Sequence, residues 1–316
     1  MPSDAKTKTK QSGTANIACG AFAGLTTRVV ISPIDVVKIR LQLQSQKTAI
    51  KYANSWDAAR QILSAEGKFA LWKGNLSAEL LYLSYGAAQF WAYSAVSEAL
   101  GKHQSTIGTT PQKYIAGAAA GTFATVLSYP FDLLRTRFAT QGSGDARVYA
   151  SIVSAVRTIL AEEGVRGMYR GLGASIAQII PYMAMTFGTY EWQRSLLRAA
   201  RTRSPAIAEY VHESTDAVVA GASSGLLAKL TVYPFDTIRK RVQVQGPTRS
   251  HYVVTTPRYF DTRWWRVGAM LVHAEGVKGL YRGLAPSLVK AGVSSAVTFT
   301  AFEFAKDTIA AWNNNK

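Results

Sequence analysis

A proline–aspartate motif occurs three times along the chain, and this repetition constrains the fold more than any other feature of the sequence. Each copy reads Pro-x-Asp-x-x-(Lys/Arg)-x-Arg and interrupts an otherwise apolar segment. The copies begin at Pro33, Pro130 and Pro234. Because a pattern that recurs at a fixed period marks a repeat architecture, the sequence predicts three similar structural units.

A second signature follows each motif in the same order. It is a Glu-Gly pair followed by an aromatic residue, a basic residue and a glycine. The motif proline lies 33 positions before the glutamate of this signature in the first two repeats and 41 positions before it in the third. The sequence therefore predicts an eight-residue insertion in the third repeat, in the loop around Pro247 to Asp261.

Six segments have the pattern of long amphipathic helices: 14–43, 72–100, 112–140, 169–197, 214–245 and 280–312. Each would be roughly 45 Å long as a helix, which exceeds a hydrocarbon core of roughly 30 Å. Polar residues recur on one side, as at Tyr82, Tyr85 and Gln89, so one face suits lipid and the other a wetter interior. We therefore predict an all-α membrane protein with six transmembrane helices in three pseudosymmetric repeats around a central cavity. The predicted repeats, 14–105, 106–205 and 206–316, form one integral domain after a flexible N-terminus at 1–13.

Two smaller features recur in the repeats. A short amphipathic helix is predicted after each motif; in the first repeat it covers Ser55 to Ala65, with Ser55 as its cap and an apolar stripe of Trp56, Ala59, Ile62 and Leu63. Glycine pairs four residues apart open the first long helix of each repeat, and small residues at this spacing favour close helix packing. These pairs are Gly20 and Gly24, Gly117 and Gly121, and Gly221 and Gly225.

The net charge of +17 is concentrated in the loops inside the repeats. By the loop-charge rule, these basic loops share one side of the membrane and both termini lie on the other. Nucleic-acid binding is not expected, because the chain has no zinc-ligand spacing, RNP-like motif or basic helix. The single cysteine, Cys19, is interpreted as a small packing residue, and the four histidines lack the spacing of a catalytic or metal site. No enzyme activity, cofactor or metal is therefore expected.

The charged residues of the three motifs are predicted to form a ring. Each motif proline bends its helix, and the aspartate and the cation three residues later then lie one turn apart at membrane depth. Unpaired charges there would be costly, so pairing between neighbouring helices is expected. The predicted pairs are Asp35 with Arg135, Asp132 with Arg239, and Asp236 with Lys38. The alternative is a pair within each helix, at a spacing of three residues.

The three motifs and their partner signatures resemble those of the mitochondrial carrier family over nearly the whole chain. The resemblance implies a multi-pass protein of the mitochondrial inner membrane, with both termini in the intermembrane space and the short helices on the matrix side. It also implies alternating access to one central site, with the charged ring as the matrix gate. The family's glutamine braces under this gate correspond to Gln42 and Gln243, whereas repeat two has Ala139 at that position.

The family's cytoplasmic gate is a (Phe/Tyr)-(Asp/Glu)-x-x-(Lys/Arg) motif on the second long helix of each repeat. Repeats two and three contain it, with Tyr190, Glu191 and Arg194, and with Glu303 and Lys306. Repeat one has the uncharged residues Tyr93, Ser94 and Ser97 instead. One interhelical pair at most, Glu191 with Lys306 or Glu303 with Arg194, can then form. Closure on this side is expected to be weak unless the three uncharged residues restore it through hydrogen bonds.

The family's substrate-contact positions predict an anion site. On the second long helices they correspond to Leu81, Gln178 with Ile179, and Lys290, and the first long helices present Arg28, Thr125 and Lys229 before their prolines. Three cations on three helices favour a phosphate or diphosphate substrate. Glu79, Tyr82 and Tyr85 add a carboxylate and two aromatic faces. Glu79 either pairs with Arg28 or faces a cationic or amino-bearing part of the substrate.

At a finer level, the segments 71–75, 78–82, 85–90 and 129–138 are similar to those of the fungal thiamine pyrophosphate branch of this family. That similarity implies thiamine pyrophosphate as substrate, exchanged for thiamine monophosphate or a nucleotide. A nucleotide or coenzyme A carrier is the alternative within transport, and a non-transporting scaffold or receptor is the alternative from another class.

The family resemblance also implies bound cardiolipin and a monomeric protein in contact with membrane lipid. The implied lipid-binding residues are the aromatic, basic and glycine residues of the second signature. They are Trp72, Lys73, Gly74, Tyr169, Arg170, Gly171, Tyr281, Arg282 and Gly283.

Overall fold

The computed structural model describes residues 3–45, 52–101, 109–144, 147–203, 213–254, 256–259, 261 and 263–314. This part of the chain is helical, and its β-pairing is limited to an isolated antiparallel bridge between Gln141 and Tyr252. The α-helices are α1 (Ser3–Leu43), α2 (Ser55–Glu66), α3 (Asn75–Gly101), α4 (Thr109–Thr140), α5 (Ile152–Met168), α6 (Leu172–Ala177), α7 (Ile179–Arg203), α8 (Glu213–Gln243), α9 (Trp264–Leu280) and α10 (Leu284–Asn314). The prediction of an all-helical protein is confirmed.

The long helices differ from the predicted segments mainly at their starts. Helix α1 begins at Ser3, before the predicted start at Thr14. Helices α3, α6 and α10 each begin directly after a glycine with positive φ: Gly74 (83°), Gly171 (87°) and Gly283 (77°). The predicted starts at 72, 169 and 280 were therefore too early, because a left-handed glycine does not continue a right-handed helix.

The second long helix of repeat two is interrupted at Gln178, between α6 and α7. Pro181 follows three residues later. A proline has no N–H to donate to the carbonyl four residues earlier, and its ring clashes with that carbonyl. The helix is therefore interrupted where Pro181 cannot donate a hydrogen bond to the Ala177 carbonyl.

Helix α2 corrects two details of the predicted short helix. Its cap is Asn54 rather than Ser55, since the Asn54 side chain accepts a hydrogen bond from the Asp57 amide at 2.9 Å. Its buried residues are Ala58 and Ile62, whereas Trp56 is 78% exposed. The predicted apolar stripe is therefore turned so that only part of it faces the protein interior.

The long helices pack as neighbours in a ring. Helix α1 packs along α10, α3 along α4, and α7 along α8, so that each of these pairs joins two repeats. At the end that contains the motif prolines, α1, α4 and α8 also contact one another. The ring is thus closed at this proline end.

The glycine pairs differ in how closely other helices approach them. A Cβ built at Gly20, Gly24, Gly221 or Gly225 would have no other heavy atom within 4 Å, so the expected packing role is not seen there. Gly117 and Gly121 line the cavity described below, and a Cβ at these positions would lie 3.9 Å from Met183 and from Tyr85 of neighbouring helices.

Three buried arginine–glutamate pairs tie the short helices of the repeats, α2, α5 and α9, to the proline end. Arg137 donates two hydrogen bonds to Glu163, at 2.6 and 3.0 Å, and Arg241 donates two to Glu275, at 2.6 and 2.9 Å. Arg40 binds Glu66 in the same way. Each arginine Nε also donates to a backbone carbonyl of the next repeat, at Ala139, Gln243 or Gln42. The last arginine of every motif therefore holds two repeats together, a role that the sequence pattern alone did not indicate.

By length and composition, one described segment passes a simple test for a membrane-spanning helix. It is Cys19–Leu43, with a mean hydropathy of 1.3.

Candidate functional site

The motif aspartates and cations meet at the proline end. Arg135 binds Asp35, Arg239 Nε donates to Asp132 at 3.0 Å, and Lys38 Nζ lies 3.2 Å from Asp236. These contacts join α4 to α1, α8 to α4, and α1 to α8. All three predicted interhelical pairs are present. They close a ring across the first long helices.

The two glutamines predicted as braces differ in what they touch. Gln243 donates to Asp132 and to the Tyr129 hydroxyl, the latter at 3.2 Å. Gln42 donates to the Tyr233 hydroxyl at 3.1 Å, and its own side-chain oxygen is buried without a hydrogen-bond partner. Only Gln243 therefore contacts a carboxylate of the ring directly.

Each aspartate of the ring has a second cation. Lys290 Nζ lies 2.6 Å from Asp35, and Lys229 Nζ lies 2.8 Å from Asp236. Both lysines were predicted to bind substrate; in this conformation they pair with the ring, and substrate binding by them remains a prediction. The third aspartate, Asp132, is paired with Lys240 at 3.1 Å. Lys240 was not predicted from the sequence, although it stands directly between the motif cations Arg239 and Arg241.

The glycines of the second signature lie against the first long helices α1, α4 and α8. A Cβ at Gly74 would be 2.8 Å from the Arg135 carbonyl oxygen, and one at Gly171 would be 3.1 Å from that of Arg239. A Cβ at Gly283 would be 3.1 Å from the carbonyl oxygen of Lys38. Each second long helix therefore starts in direct contact with the backbone of a ring cation in another repeat.

A cavity of about 550 Å³ lies above the ring, between α3, α4, α7 and α8. The predicted residues Leu81, Tyr82, Gln178, Ile179 and Lys229 line it. Its wall includes Tyr85, Thr125, Tyr182 and Phe187, and Asp132 and Arg239 of the ring reach it. The cavity therefore has an aromatic wall and a charged floor. Tyr182 and Phe187 were not predicted from the sequence.

Arg28, Glu79 and Lys290 lie outside the lining of this cavity. The Arg28 guanidinium stacks on the Tyr82 ring, 3.3 Å from its centroid. The expected ion pair between Arg28 and Glu79 is not formed, because the guanidinium takes the aromatic face instead. One carboxylate oxygen of Glu79 is buried without a hydrogen-bond partner.

A family model described as mitochondrial carrier protein matches residues 9–104, 108–201 and 211–311. The chain belongs to the mitochondrial carrier family. It is accordingly a transport protein rather than an enzyme.

Several fungal relatives of this carrier have curated names. A protein named mitochondrial thiamine pyrophosphate carrier 1 from Neurospora crassa is 44% identical over 306 residues, which cover 90% of this chain and 89% of that protein. Proteins with the same name from Phaeosphaeria nodorum and Emericella nidulans are 42% and 43% identical. Those matches cover 95% and 91% of this chain, and 94% and 90% of the relatives.

The two ion pairs predicted for the carrier's second gate are not formed in this conformation. Glu191, Glu303 and Lys306 are exposed, and neither predicted pair, Glu191 with Lys306 or Glu303 with Arg194, is formed. Arg194 lies over the Tyr190 ring, 5.7 Å from its centroid. The end of the ring opposite the prolines is therefore not closed by these charges.

The basic residues implied in lipid binding are engaged inside the carrier. Lys73 binds Glu66 and the Gly142 carbonyl, the latter at 2.7 Å. Arg170 binds Glu163 at 2.9 Å. Arg282 donates to the Gln44 carbonyl at 2.9 Å. These side chains thus hold the proline end together, and lipid binding by them remains a prediction.

The insertion of the third repeat crosses to the second repeat. The Val253 amide donates to the Thr140 carbonyl at 3.0 Å, and Tyr252 pairs with Gln141 in the isolated bridge. Tyr252 is 5% exposed, and its hydroxyl lies 3.0 Å from that of Thr248 and 3.3 Å from that of Tyr149. Burial raises the pKa of Tyr252, so this hydroxyl stays protonated. The insertion therefore straps α8 to the end of α4.

Replacement of Tyr252 by phenylalanine is expected to destabilise the carrier by about 1 kcal/mol, because it removes hydrogen bonds from a buried site. Thermal unfolding of the purified protein in detergent should show a midpoint about 2 °C lower. Tyr93→Phe, at an exposed position on α3, is the matched control. Equal midpoints for the two variants would contradict the strap.

Proposed function

We propose that this carrier moves thiamine pyrophosphate across the mitochondrial inner membrane, into the matrix, in exchange for thiamine monophosphate or a nucleotide. The observation that carries the proposal is the pairing of Lys229 and Lys290 with the gate aspartates beside an aromatic cavity. The names of the fungal relatives support the choice of substrate. Retention of all three gate pairs argues against a non-transporting scaffold or receptor.

In the proposed membrane arrangement, α1, α3, α4, α6 with α7, α8 and α10 form six transmembrane helices in three repeats. The short helices and the proline end face the matrix, and both termini face the intermembrane space. The charged ring then acts as a closed matrix gate. Access to the cavity is from the cytoplasmic side, where the predicted gate pairs are not formed.

The diphosphate is placed at the floor of the cavity beside Lys229, which lines it; Lys290 and Arg28 lie outside the lining, bound to Asp35 and stacked on the lining residue Tyr82. Phosphate oxygens accept charge-assisted hydrogen bonds from lysine and arginine. To reach them, the substrate competes with Asp35 and Asp236 for the two lysines. Substrate binding and the loosening of the gate are then one event, and only a substrate that favours the occluded state over both open states speeds transport.

The thiazolium and aminopyrimidine rings are placed against the aromatic wall. A cavity of about 550 Å³ is large enough for such a group. The unpartnered oxygen of Glu79 is buried and outside the lining in this conformation, and we propose that it accepts a hydrogen bond from the pyrimidine amino group when substrate binding exposes it. Arg28 is stacked on Tyr82 and makes no ion pair with Glu79 in this conformation.

Glu79→Ala is expected to raise the half-saturation concentration for thiamine pyrophosphate about tenfold, since a hydrogen bond to a charged group contributes about 1.5 kcal/mol or more. Inorganic pyrophosphate lacks the pyrimidine, so its potency as an inhibitor of uptake should not change. Both quantities are measured in reconstituted liposomes. An equal loss of potency for pyrophosphate would show that Glu79 acts on the phosphate site instead.

Uptake by liposomes that contain the purified carrier tests the proposed substrate. Labelled thiamine pyrophosphate, ADP and coenzyme A are offered separately, with protein-free liposomes as the control. Saturable uptake of thiamine pyrophosphate is expected. Uptake of ADP or coenzyme A alone would favour a nucleotide or coenzyme A carrier, and no uptake of any compound would favour a scaffold or receptor.

A further inference from the structure

The residue before each motif proline differs between the repeats. It is a tyrosine in repeats two and three, Tyr129 and Tyr233, and a serine in repeat one, Ser32. The two tyrosines are 1% and 0% exposed, so their hydroxyl groups need partners inside the protein. The structure gives both hydroxyl groups the same kinds of partner.

Each tyrosine hydroxyl donates to the start of the second long helix of its own repeat. Tyr129 donates to the Arg170 carbonyl at 2.7 Å, and Tyr233 donates to the Arg282 carbonyl at 2.9 Å. Both carbonyls belong to the basic residue of the second signature. Since a hydroxyl group has one proton to donate, each tyrosine can meet a further polar group only as an acceptor.

The further group is a glutamine of another repeat. Gln243 of α8 donates to the Tyr129 hydroxyl on α4 at 3.2 Å, and Gln42 of α1 donates to the Tyr233 hydroxyl on α8 at 3.1 Å. These glutamines are the two predicted braces. Each hydroxyl therefore joins three parts of the fold: its own helix, the next long helix of the same repeat and a first long helix of another repeat.

The sequence matches each brace to its tyrosine. Nine positions after the motif proline, α1 has Gln42 and α8 has Gln243, and the helices that these glutamines reach have a tyrosine before the proline. Helix α4 has Ala139 instead, and the helix that follows from the same rule, α1, has Ser32. Ser32 donates to the Leu71 carbonyl at 3.3 Å, two residues before the basic residue of the signature. The glutamine and the tyrosine are thus present together or absent together at each junction between first long helices.

The cation of the ion pair between the same two helices lies over the tyrosine ring. Arg239 lies 5.6 Å from the centroid of the Tyr129 ring, and Lys38 Nζ lies 5.5 Å from that of the Tyr233 ring. Both distances are within the range of a cation–π interaction. One side chain therefore contacts the ion pair through its ring and the brace through its hydroxyl, and removal of the hydroxyl alone leaves the ring contact in place.

We propose that Tyr129 and Tyr233 are positioning residues of the matrix gate. Their hydroxyl groups fasten the glutamine braces of a neighbouring repeat to the second long helix, and this link holds two of the three junctions closed. The proposal rests on the proposed function, because it takes the charged ring to be the matrix gate. Opening of the gate then requires each glutamine to leave its tyrosine. The junction of Ser32 with Ala139 lacks the two side chains that form this link.

Tyr233→Phe tests the link, because it removes the hydroxyl and keeps the ring. The Tyr233 hydroxyl is the acceptor that the structure gives to the Gln42 amide, whose own oxygen is already buried without a partner among the described residues. The variant should lower the unfolding midpoint in detergent, since an unsatisfied buried amide is destabilising. Tyr114→Phe, at an exposed position on α4, is the matched control and should not lower it.

The state of the gate is measured separately, by the distance between spin labels on α2 and α9. Cysteines for labelling replace the exposed residues Ser64 and Ala269 in a Cys19→Ala background of the full-length carrier, and no substrate is present. The labelled helices follow α1 and α8, the helices that Gln42 and Tyr233 join. Loss of one hydrogen bond should raise the ratio of long to short distances about fivefold in Tyr233→Phe.

A second substitution separates the gate from general stability. In Tyr233→Phe with Gln42→Met both polar partners are gone, so no amide is left unsatisfied and the midpoint should recover most of its loss. The roughly fivefold higher ratio of long distances should remain, because the link is still absent. Tyr233→Phe with Gln243→Met combines residues of two different links, and its midpoint should fall further instead of recovering.

The outcomes separate this proposal from the proposed function. Wild-type distances in Tyr233→Phe, or their return when Gln42→Met is added, would overturn the positioning role, because the hydroxyl would then serve packing alone. If uptake of thiamine pyrophosphate is saturable and the distances do not change, only the positioning role is wrong. If the distances change as described but wild-type liposomes take up no thiamine pyrophosphate, the proposed substrate is wrong and the role of Tyr233 stands.

Discussion

Replacing Lys229 and Lys290 together by methionine is expected to raise the half-saturation concentration for thiamine pyrophosphate about a hundredfold. Charge-assisted hydrogen bonds contribute about 1.5 to 3 kcal/mol each, and part of this gain is offset because both lysines must leave gate aspartates to which they are already bonded. A net loss of about 3 kcal/mol corresponds to that factor. Initial rates of uptake into liposomes, measured over a range of substrate concentrations, give the value.

The matched control for this double variant is Lys278→Met, an exposed lysine on α9. It removes a positive charge from the same protein without touching the cavity or the ring. Uptake by the control should match the wild type. If the double variant and the control have the same half-saturation concentration, Lys229 and Lys290 do not bind the substrate's phosphates.

Arg241→Met is expected to destabilise the carrier by about 3 to 5 kcal/mol, because it leaves the Glu275 carboxylate in a buried site without its main partner. The Glu275 side chain is only 1% exposed, and Ser45 and the more distant Arg282 are its remaining partners. Thermal unfolding in detergent should show a midpoint about 10 °C lower. The double variant Arg241→Met with Glu275→Met should recover most of the loss, since replacing both partners leaves no unpaired charge.

The effect of Arg241→Met should also depend on pH. Burial alone would raise the pKa of Glu275, but hydrogen bonds from Arg241 and Ser45 outweigh it and the pKa is lowered below its usual value of 4.5. A lowered carboxyl pKa contributes stability that is fully present above the unfolded value and is lost as the pH falls through the folded value. The difference between wild type and variant should therefore shrink below about pH 4.5. A constant difference down to pH 3 would contradict the ion pair as its cause.

The repeats and the gate could be predicted from sequence because each depends on a pattern repeated in register. When three copies of a motif share one geometry, the aspartate of each copy lies within reach of the motif cation of the next. The pairs of Asp35, Asp132 and Asp236 follow from this symmetry. The position of the insertion in the third repeat was predicted from the same alignment of the repeats.

Features that break the symmetry were harder to predict. Lys240 is an additional cation with no counterpart at the same position in the other repeats. Its role depends on the ion pair with Asp132, which lies on another helix. Arg28 had two possible partners within reach, and the choice of the Tyr82 face over Glu79 depends on side-chain geometry rather than spacing. The break at Gln178 follows from Pro181, a local signal that was present in the sequence and overlooked.

Binding of a diphosphate at the cavity floor is most directly tested by the thermal stability of the purified wild-type carrier with thiamine pyrophosphate, inorganic pyrophosphate or thiamine. A ligand that binds only the folded state at a hundred times its dissociation constant stabilises that state by about 2.7 kcal/mol. Thiamine pyrophosphate and, more weakly, pyrophosphate should raise the unfolding midpoint, and thiamine, which has no phosphate, should not. Equal stabilisation by thiamine and thiamine pyrophosphate would contradict recognition through Lys229 and Lys290.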